Sequence, residues 1–300
     1  MVTVGLLSPG DMGGATGRVL QAGGARVLTC LAGRSARTRS LAAAAGFADV
    51  PTLDDFVREA DVILCILVPS QAHRVAESVA AAIRTTGADV TYADCNAVSP
   101  QTVRAIGETI TAAGGRFVDA GIIGGPPTPG STGTRYYVSG PYIESFVALA
   151  EHGLTIRDIG DEIGHASGLK MCYAALTKGL TALGTELLLA AKLLGLEDAL
   201  RVEQTASTPD LLASLARSIP AMTPKAYRWV GEMEEIAATF AAIGLTPAMF
   251  AGAAEMYRLV AAAPIGHETP ENRDRDRDMD GVIAALADAM HVMGNGNARE

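Results

Sequence analysis

Two stretches of this chain have residue types and spacings that could do chemistry. Lys170 stands in GHASGLKMCYAALTK, residues 164–178, where a long run of apolar residues at helical spacing begins. An amine on the first turns of a helix, partly withdrawn from water, can give and take a proton near neutral pH. Far upstream, Ser8-Pro9-Gly10-Asp11-Met12-Gly13-Gly14 follows a short apolar run and precedes a run of small residues. Glycines in such a turn let a pyrophosphate approach backbone N–H groups at a helix N-terminus, where a Cβ would block it. Gly10 and Gly13 match the second and third glycines of a GxGxxG fingerprint, and Ser8 stands at the first. The bland alternatives are a turn that merely packs and a lysine that merely faces solvent.

The elements that must position these residues are an alternating half and a helical half. Residues 2–7 read as a strand, 15–23 as a helix and 25–31 as a second strand, the first unit of a dinucleotide-binding fold. An acid at the end of the second strand would hold a ribose 2′-OH, but the stretch here is Ala32-Gly33-Arg34-Ser35-Ala36-Arg37. Arg34 and Ser35 could hold a 2′-phosphate, with Arg37 adding charge, so the reading is NADP(H), with NAD as the alternative. The next strands read as 61–68, after a short helix closing at Ala60, and 90–94. Ligands of open α/β sheets bind outside the carboxyl ends of the strands, which makes Pro69, Ser70 and Asn96 candidate cofactor neighbours. Ser99-Pro100 reads as a helix N-cap.

A strand over 116–122 runs into Ile123-Gly124-Gly125-Pro126-Pro127-Thr128-Pro129-Gly130, a loop that must pass close to a ligand or to a second backbone. Strands over 135–138 and 154–159 follow. From residue 164 the pattern is helical. A long helix is expected over 166–196, then helices over 209–217, 224–243, 247–263 and 271–293, three of them opened by proline. Residues 273–278, Arg and Asp in alternation, read as a solvated charge run, and 294–300 as a disordered tail.

Composition narrows the class of partner. The 300 residues carry a net charge of −9 and are 49% hydrophobic. An acidic balance argues against nucleic acid or an anionic membrane as the main partner. No apolar run reaches the ~20 residues of a membrane helix, and the N-terminus lacks a signal-peptide pattern. Four separated cysteines and five scattered histidines give no metal spacing. The expectation is a cytoplasmic protein acting on a small molecule, without a metal.

Taken in order, GLLSPGDMG (5–13), DAGIIGGPPTPGSTGT (119–134) and GHASGLKM (164–171) resemble the opening, substrate-loop and lysine motifs of the β-hydroxyacid dehydrogenase and 6-phosphogluconate dehydrogenase superfamily. The chain looks most like a less characterised branch with a distinct helical C-terminal domain. That resemblance implies an α/β Rossmann-type NAD(P)-binding domain over 1–160 and an all-α substrate and dimerisation domain over 161–300. It also implies a homodimer, with Lys170 as general acid/base in hydride transfer between the nicotinamide and a hydroxyl/carbonyl substrate.

The departures bear on substrate. The superfamily usually has Ser-Gly-Gly where this chain has Ile123-Gly124-Gly125, and asparagine three or four residues after the lysine, where Tyr173 and Ala174 stand. An ionised carboxylate needs donors, so a simple small 3-hydroxy acid is not the expected substrate. Tyr173 and Thr177 share the helix face of Lys170 and could line the pocket. Trp229, in a stretch that lacks the superfamily's lysine, is a further candidate. Two alternatives stand beside an alcohol or ketone enzyme. Imine reductases resemble the superfamily but generally lack the lysine. A non-catalytic nucleotide-binding protein could also occupy this scaffold.

Overall fold

The computed structural model describes residues 1–269 and 271–297. These form two compact units, with the division falling between Cys172 and Tyr173.

The first unit is an eight-stranded sheet. In chain order it comprises β1 (Thr3–Leu6), α1 (Asp11–Ala22), β2 (Arg26–Thr29), α2 (Ala36–Ala45), β3 (Ala48–Asp49), α3 (Leu53–Glu59) and β4 (Val62–Cys65). Then come α4 (Pro69–Thr86), β5 (Thr91–Asp94), α5 (Pro100–Thr111), β6 (Arg116–Ile123), β7 (Arg135–Ser139), α6 (Glu144–Val147) and β8 (Thr155–Asp158). The strand order is β3-β2-β1-β4-β5-β6-β7-β8. Neighbours from β3 to β6 pair in parallel, and β7 turns back against β6. The order reverses direction between β1 and β4, so the carboxyl ends of these two strands flank a switch point.

Strict alternation builds a core on each face of the sheet. Val4, Val62, Val118, Ala120 and Ile122 pack with Val19 and Leu20 of α1 and Ala42 of α2. On the opposite face Ile63, Tyr92 and Phe117 pack with Phe56 of α3, Val79 of α4 and Ile106 of α5. Helices on both faces of a largely parallel sheet are the doubly wound, Rossmann-type arrangement expected from the sequence.

Helix α7 (His165–Leu194) begins in this unit and continues into the second. The second unit is helical. It contains α8 (Glu197–Ser207), α9 (Pro209–Met222), α10 (Ala226–Ala242), α11 (Ala248–Ala262) and α12 (Met279–Asn297). Tyr257 of α11 stacks edge-on against Trp229 of α10 at 5.3 Å, and Phe250 packs against Phe240 at 4.7 Å.

Several boundaries differ from those read in the sequence. Helix α1 starts at Asp11 rather than residue 15, because the glycine turn is itself the first helical turn, with Gly14 N–H bonded to Gly10 carbonyl at 2.6 Å. Helix α9 extends through Pro220 to Met222, since a proline near the last turn forfeits only one hydrogen bond. Pro224 lies in a 3-10 turn, Thr223–Lys225, ahead of α10. Helix α12 starts at Met279 rather than 271, and the charge run before it is not simply solvated. Arg277 pairs with Glu268 at 2.8 Å and with Asp274 at 3.7 Å, and Arg273 donates to the Pro220 carbonyl at 3.3 Å. Helix α12 also takes in 294–297 of the tail expected to be disordered; residues 298–300 lie outside the described residues. Among the described residues no helix is long and apolar enough to cross a membrane.

Candidate active site

The glycine turn sits at the carboxyl end of β1. Gly10 is the N-cap of α1 in an extended conformation, and no side chain caps the helix there. A Cβ on Gly13 would lie 2.1 Å from the Ser8 carbonyl oxygen, so the helix can meet the turn only with glycine at this place. Gly10 is different: its nearest neighbour to an added Cβ is Ser8 Oγ at 3.9 Å. Gly13 is needed for packing, whereas Gly10 leaves open approach to the helix N-terminus, where the dipole favours anions.

The residues after β2 fold onto this turn. Arg34 donates through Nη2 to the Leu7 carbonyl at 2.9 Å. Arg37 pairs with Asp11 at 3.0 Å, both side chains being roughly half-exposed. Ser35 is the N-cap of α2, its hydroxyl accepting the Thr38 N–H at 3.2 Å. The chain thus brings together Ser8, Asp11, Arg34 and Arg37 from segments more than twenty positions apart. Met12 is partly buried and packs against the core beneath α1.

Pro69 and Asn96 follow the ends of β4 and β5. Pro69 is the first residue of α4, where its missing N–H costs nothing. Asn96 is buried, with its amide oxygen accepting the Leu67 N–H. Its amide nitrogen donates to Asp94 at 3.0 Å and to the Cys65 thiol sulfur at 3.4 Å. Asn96 therefore ties the end of β5 to the segment that feeds α4. Burial, with the nearby Asp94 carboxylate, pushes the Cys65 thiol up to about 12, so this cysteine stays protonated and inert.

The loop after β6 passes close to a second stretch of backbone. Ile123 is buried and is the last residue of β6, paired with Arg135. Gly124 has φ +128°, and a Cβ there would lie 2.7 Å from the Gly133 carbonyl oxygen. What passes close to Gly124 is a second stretch of backbone. Gly125 faces open space, and its carbonyl accepts the Thr134 hydroxyl.

Lys170 is half-buried on the first turns of α7, and its ammonium donates to the Ile122 carbonyl. Since β6 runs parallel to β5, this contact lies on the same carboxyl edge of the sheet as Ser8, Pro69 and Asn96. Three residues that the sequence reading did not single out hold the helix there. Asp119 of β6 and Ser139 of β7 take hydrogen bonds from residues 164–167, among them Ser167. Their only sequence signal was a polar residue inside an apolar strand, at Asp119.

The remaining candidates lie in the second unit. Tyr173 is 46% exposed, and its carbonyl accepts the Thr177 hydroxyl at 3.2 Å. Trp229 is half-buried, with the Lys178 ammonium 5.2 Å from its ring centroid. Lys178 also pairs with Glu232, and the Tyr257 hydroxyl donates to the Lys178 carbonyl at 2.6 Å. The stretch 229–236 carries no lysine, and α7 brings Lys178 to it. Among the described residues no group of three or more His, Cys, Asp or Glu could hold a metal.

Comparison with known proteins agrees with this architecture. Residues 3–145 match the NAD binding domain of 6-phosphogluconate dehydrogenase. Residues 191–260 match a domain of unknown function, DUF1932. The first likeness falls in the alternating strand-and-helix half and the second in the helical half, each over less than half of the chain. An uncharacterized 28.5 kDa protein of Methanothermus fervidus is 32% identical over 58% of this chain; the match spans 65% of that relative, just under two thirds of its length.

A solved conserved protein of unknown function, described as structurally similar to 3-hydroxyacid dehydrogenases, is 29% identical with a TM-score of 0.63, covering 87% of this chain and 97% of the other. The Mycobacterium tuberculosis 3-hydroxyisobutyrate dehydrogenase, solved with L-serine, is 21% identical with a TM-score of 0.69, covering 95% and 99%. An imine reductase from Myxococcus stipitatus, solved with NADP+, is 16% identical with a TM-score of 0.51, covering 95% and 99%. The last two are likenesses of fold alone.

Proposed function

We propose that this protein is an NADP-dependent oxidoreductase acting on a hydroxyl/carbonyl pair of a small molecule, with Lys170 as general acid/base. The observation that carries the reading is the placement of the Lys170 ammonium at the Ile122 carbonyl, on the sheet edge that also bears the glycine turn. Residues 1–160 would bind the nucleotide, and residues 161–300 would serve substrate binding and dimerisation.

The residues present fit a dinucleotide. Ser8, Gly10, Asp11, Met12 and Gly13 form an uncapped helix start for a pyrophosphate, and Pro69 and Asn96 border the same crevice. Arg34 and Ser35 would take a 2′-phosphate, NADP being preferred over NAD because no acid stands at that position. When bound, a nicotinamide would provide the hydride chemistry at this edge. In reduction, Lys170 protonates the carbonyl oxygen as hydride reaches the carbonyl carbon; in oxidation it takes the hydroxyl proton. The Ile122 carbonyl fixes the Lys170 Nζ at the end of β6, so the proton is delivered from one place.

The substrate would meet Ile123, Gly124, Gly125, Tyr173, Thr177 and Trp229, a set with little to grip a small carboxylate. We therefore favour a bulkier or less charged compound over a simple 3-hydroxy acid, and brisk turnover of 3-hydroxyisobutyrate would sink that preference. Dimer formation has its own support. Tyr173, Leu176, Leu180 and Leu183 line α7 as an exposed apolar stripe at alternating spacings of three and four, the kind of face a second copy covers. A cytoplasmic location accords with the sequence reading.

An imine reductase reading keeps the fold and the cofactor but dispenses with the lysine, because an iminium is already activated. The deciding experiment has two parts. NADPH and NADH are titrated by fluorescence, and NADPH is expected to bind more tightly, with the preference erased by Arg34→Ala. Turnover is then compared with Lys170→Ala, which should abolish it for an alcohol or ketone enzyme and spare it for an imine reductase. Binding of neither nucleotide would favour a non-catalytic protein.

A further inference from the structure

The first turn of α7 is held by side chains that the proposed chemistry does not itself use. Asp119 and Ser139 face each other across the β6–β7 pair, and both are fully buried. Asp119 Oδ2 accepts the Gly164 N–H at 2.8 Å, the Ser167 N–H at 3.1 Å and the Ser139 hydroxyl at 3.2 Å. Its Oδ1 accepts the Ser167 hydroxyl at 2.6 Å. Ser139 Oγ in turn accepts the Ala166 N–H at 3.1 Å.

Helices leave their first N–H groups without intrahelical partners, and a nearby side chain of the helix's own sequence often caps them. Here three such groups, from residues 164, 166 and 167, end on two side chains from adjacent strands. They spread around nearly one helical turn. Two acceptors that meet all three therefore fix both the rotation of the helix and its position along its axis. A slip of one residue would turn the following side chains by about 100° and carry them about 1.5 Å. Lys170 follows three residues after Ser167, and its ammonium would then miss the Ile122 carbonyl.

We infer that Asp119 and Ser139 are positioning residues for Lys170, a buried polar clamp on the sheet that sets the register of α7 and so the place of the reactive amine. The inference rests on the acid/base reading for its significance, and its test does not depend on turnover. The chain has four lysines, Lys170, Lys178, Lys192 and Lys225, so each can be followed separately by mass spectrometry. The full-length protein is labelled briefly with a limiting amount of acetic anhydride.

Ser139→Ala and Ser167→Ala each remove one hydroxyl from the clamp. Either is expected to raise Lys170 labelling about threefold or more relative to Lys192 and Lys225, as the first turn opens locally. The ratio among the other lysines should stay constant, and Ser139→Thr, which restores the hydroxyl, should return Lys170 towards its original rate. Unchanged Lys170 labelling in a folded variant overturns the inference, as does an equal rise at all four lysines. Should Ser139→Ala fail to fold, Ser167→Ala carries the test, because it leaves the Ser167 N–H bond to Asp119 in place. Lys170→Ala is assayed separately. Full activity there would end the acid/base reading, while the labelling still decides the clamp.

Discussion

Gly121 lacks a side chain at the place where Lys170 crosses β6. A Cβ on Gly121 would lie 3.2 Å from the Lys170 Cβ and 2.6 Å from the Ala166 carbonyl oxygen. The strand accepts the helix this closely only because nothing projects from it, and closeness lets the lysine reach the next carbonyl along the strand. Gly121→Ala would push backbone against side chain in a packed interior. We expect a loss of about 1–3 kcal/mol in urea unfolding and, where the protein still folds, a drop in kcat larger than any change in nucleotide affinity.

The two glycines of the turn should behave differently. Gly13→Ala places a Cβ 2.1 Å from the Ser8 carbonyl, so it should lower stability as well as nucleotide binding. Gly10→Ala meets nothing closer than 3.9 Å, in an extended conformation open to alanine. Its melting temperature should match that of the wild type, while NADPH affinity falls by about tenfold, or ~1.4 kcal/mol. Unchanged affinity in Gly10→Ala would mean that no pyrophosphate approaches there.

The Lys178–Glu232 pair should be costly to break from one side. Both side chains are largely buried, with the Trp229 ring beside the ammonium. Lys178→Met leaves the Glu232 carboxylate without that partner and should cost about 3–5 kcal/mol. The double variant Lys178→Met, Glu232→Leu should recover much of that loss. A double-mutant cycle in guanidinium chloride measures the coupling, and strict additivity would show that the two groups do not support each other.

Asp119 should leave a mark on the pH dependence of stability. Burial pushes its carboxyl above the ordinary value of 3.8, against the lowering pull of Ser167, Gly164 and Ser139. A raised folded-state value means that the folded protein binds the proton more tightly than the unfolded chain. That contribution is present at pH below the unfolded value and is lost as pH rises from there through the raised one. Wild type should therefore lose stability across this window relative to Asp119→Asn, which cannot titrate there. Denaturant unfolding of both proteins from pH 3.5 upward gives the difference, and parallel curves would exclude the shift.

Much of the architecture was legible in the residues themselves. The apolar run at 61–68 announced a buried strand, because a strand covered on both faces has no solvent side to mark with polar residues. The glycine turn after β1 and the long helical run from residue 164 announced the doubly wound half and the helical half. The helix boundaries were less legible. Gly13 looked like part of a loop, since glycine is a poor helix former and only the contact with Ser8 explains its place in a first turn. The start of α12 was misread because alternating Arg and Asp carries no record of which pairs will close.

The kind of fold and the reactive groups on offer, a lysine on a helix start and glycines at a strand end, were written into local stretches of the chain. These depend on local periodicity and on the presence or absence of a side chain, which are properties of neighbouring positions. Which distant residues would meet was settled by the folded chain. It set Arg34 on the Leu7 carbonyl, gave Gly124 a backbone neighbour, and brought Lys178 to Glu232. It also made Asp119 the anchor of a helix that begins more than forty residues later. Such pairings follow from strand order and close packing, which are cooperative properties of the whole chain, and no window of neighbouring residues contains them.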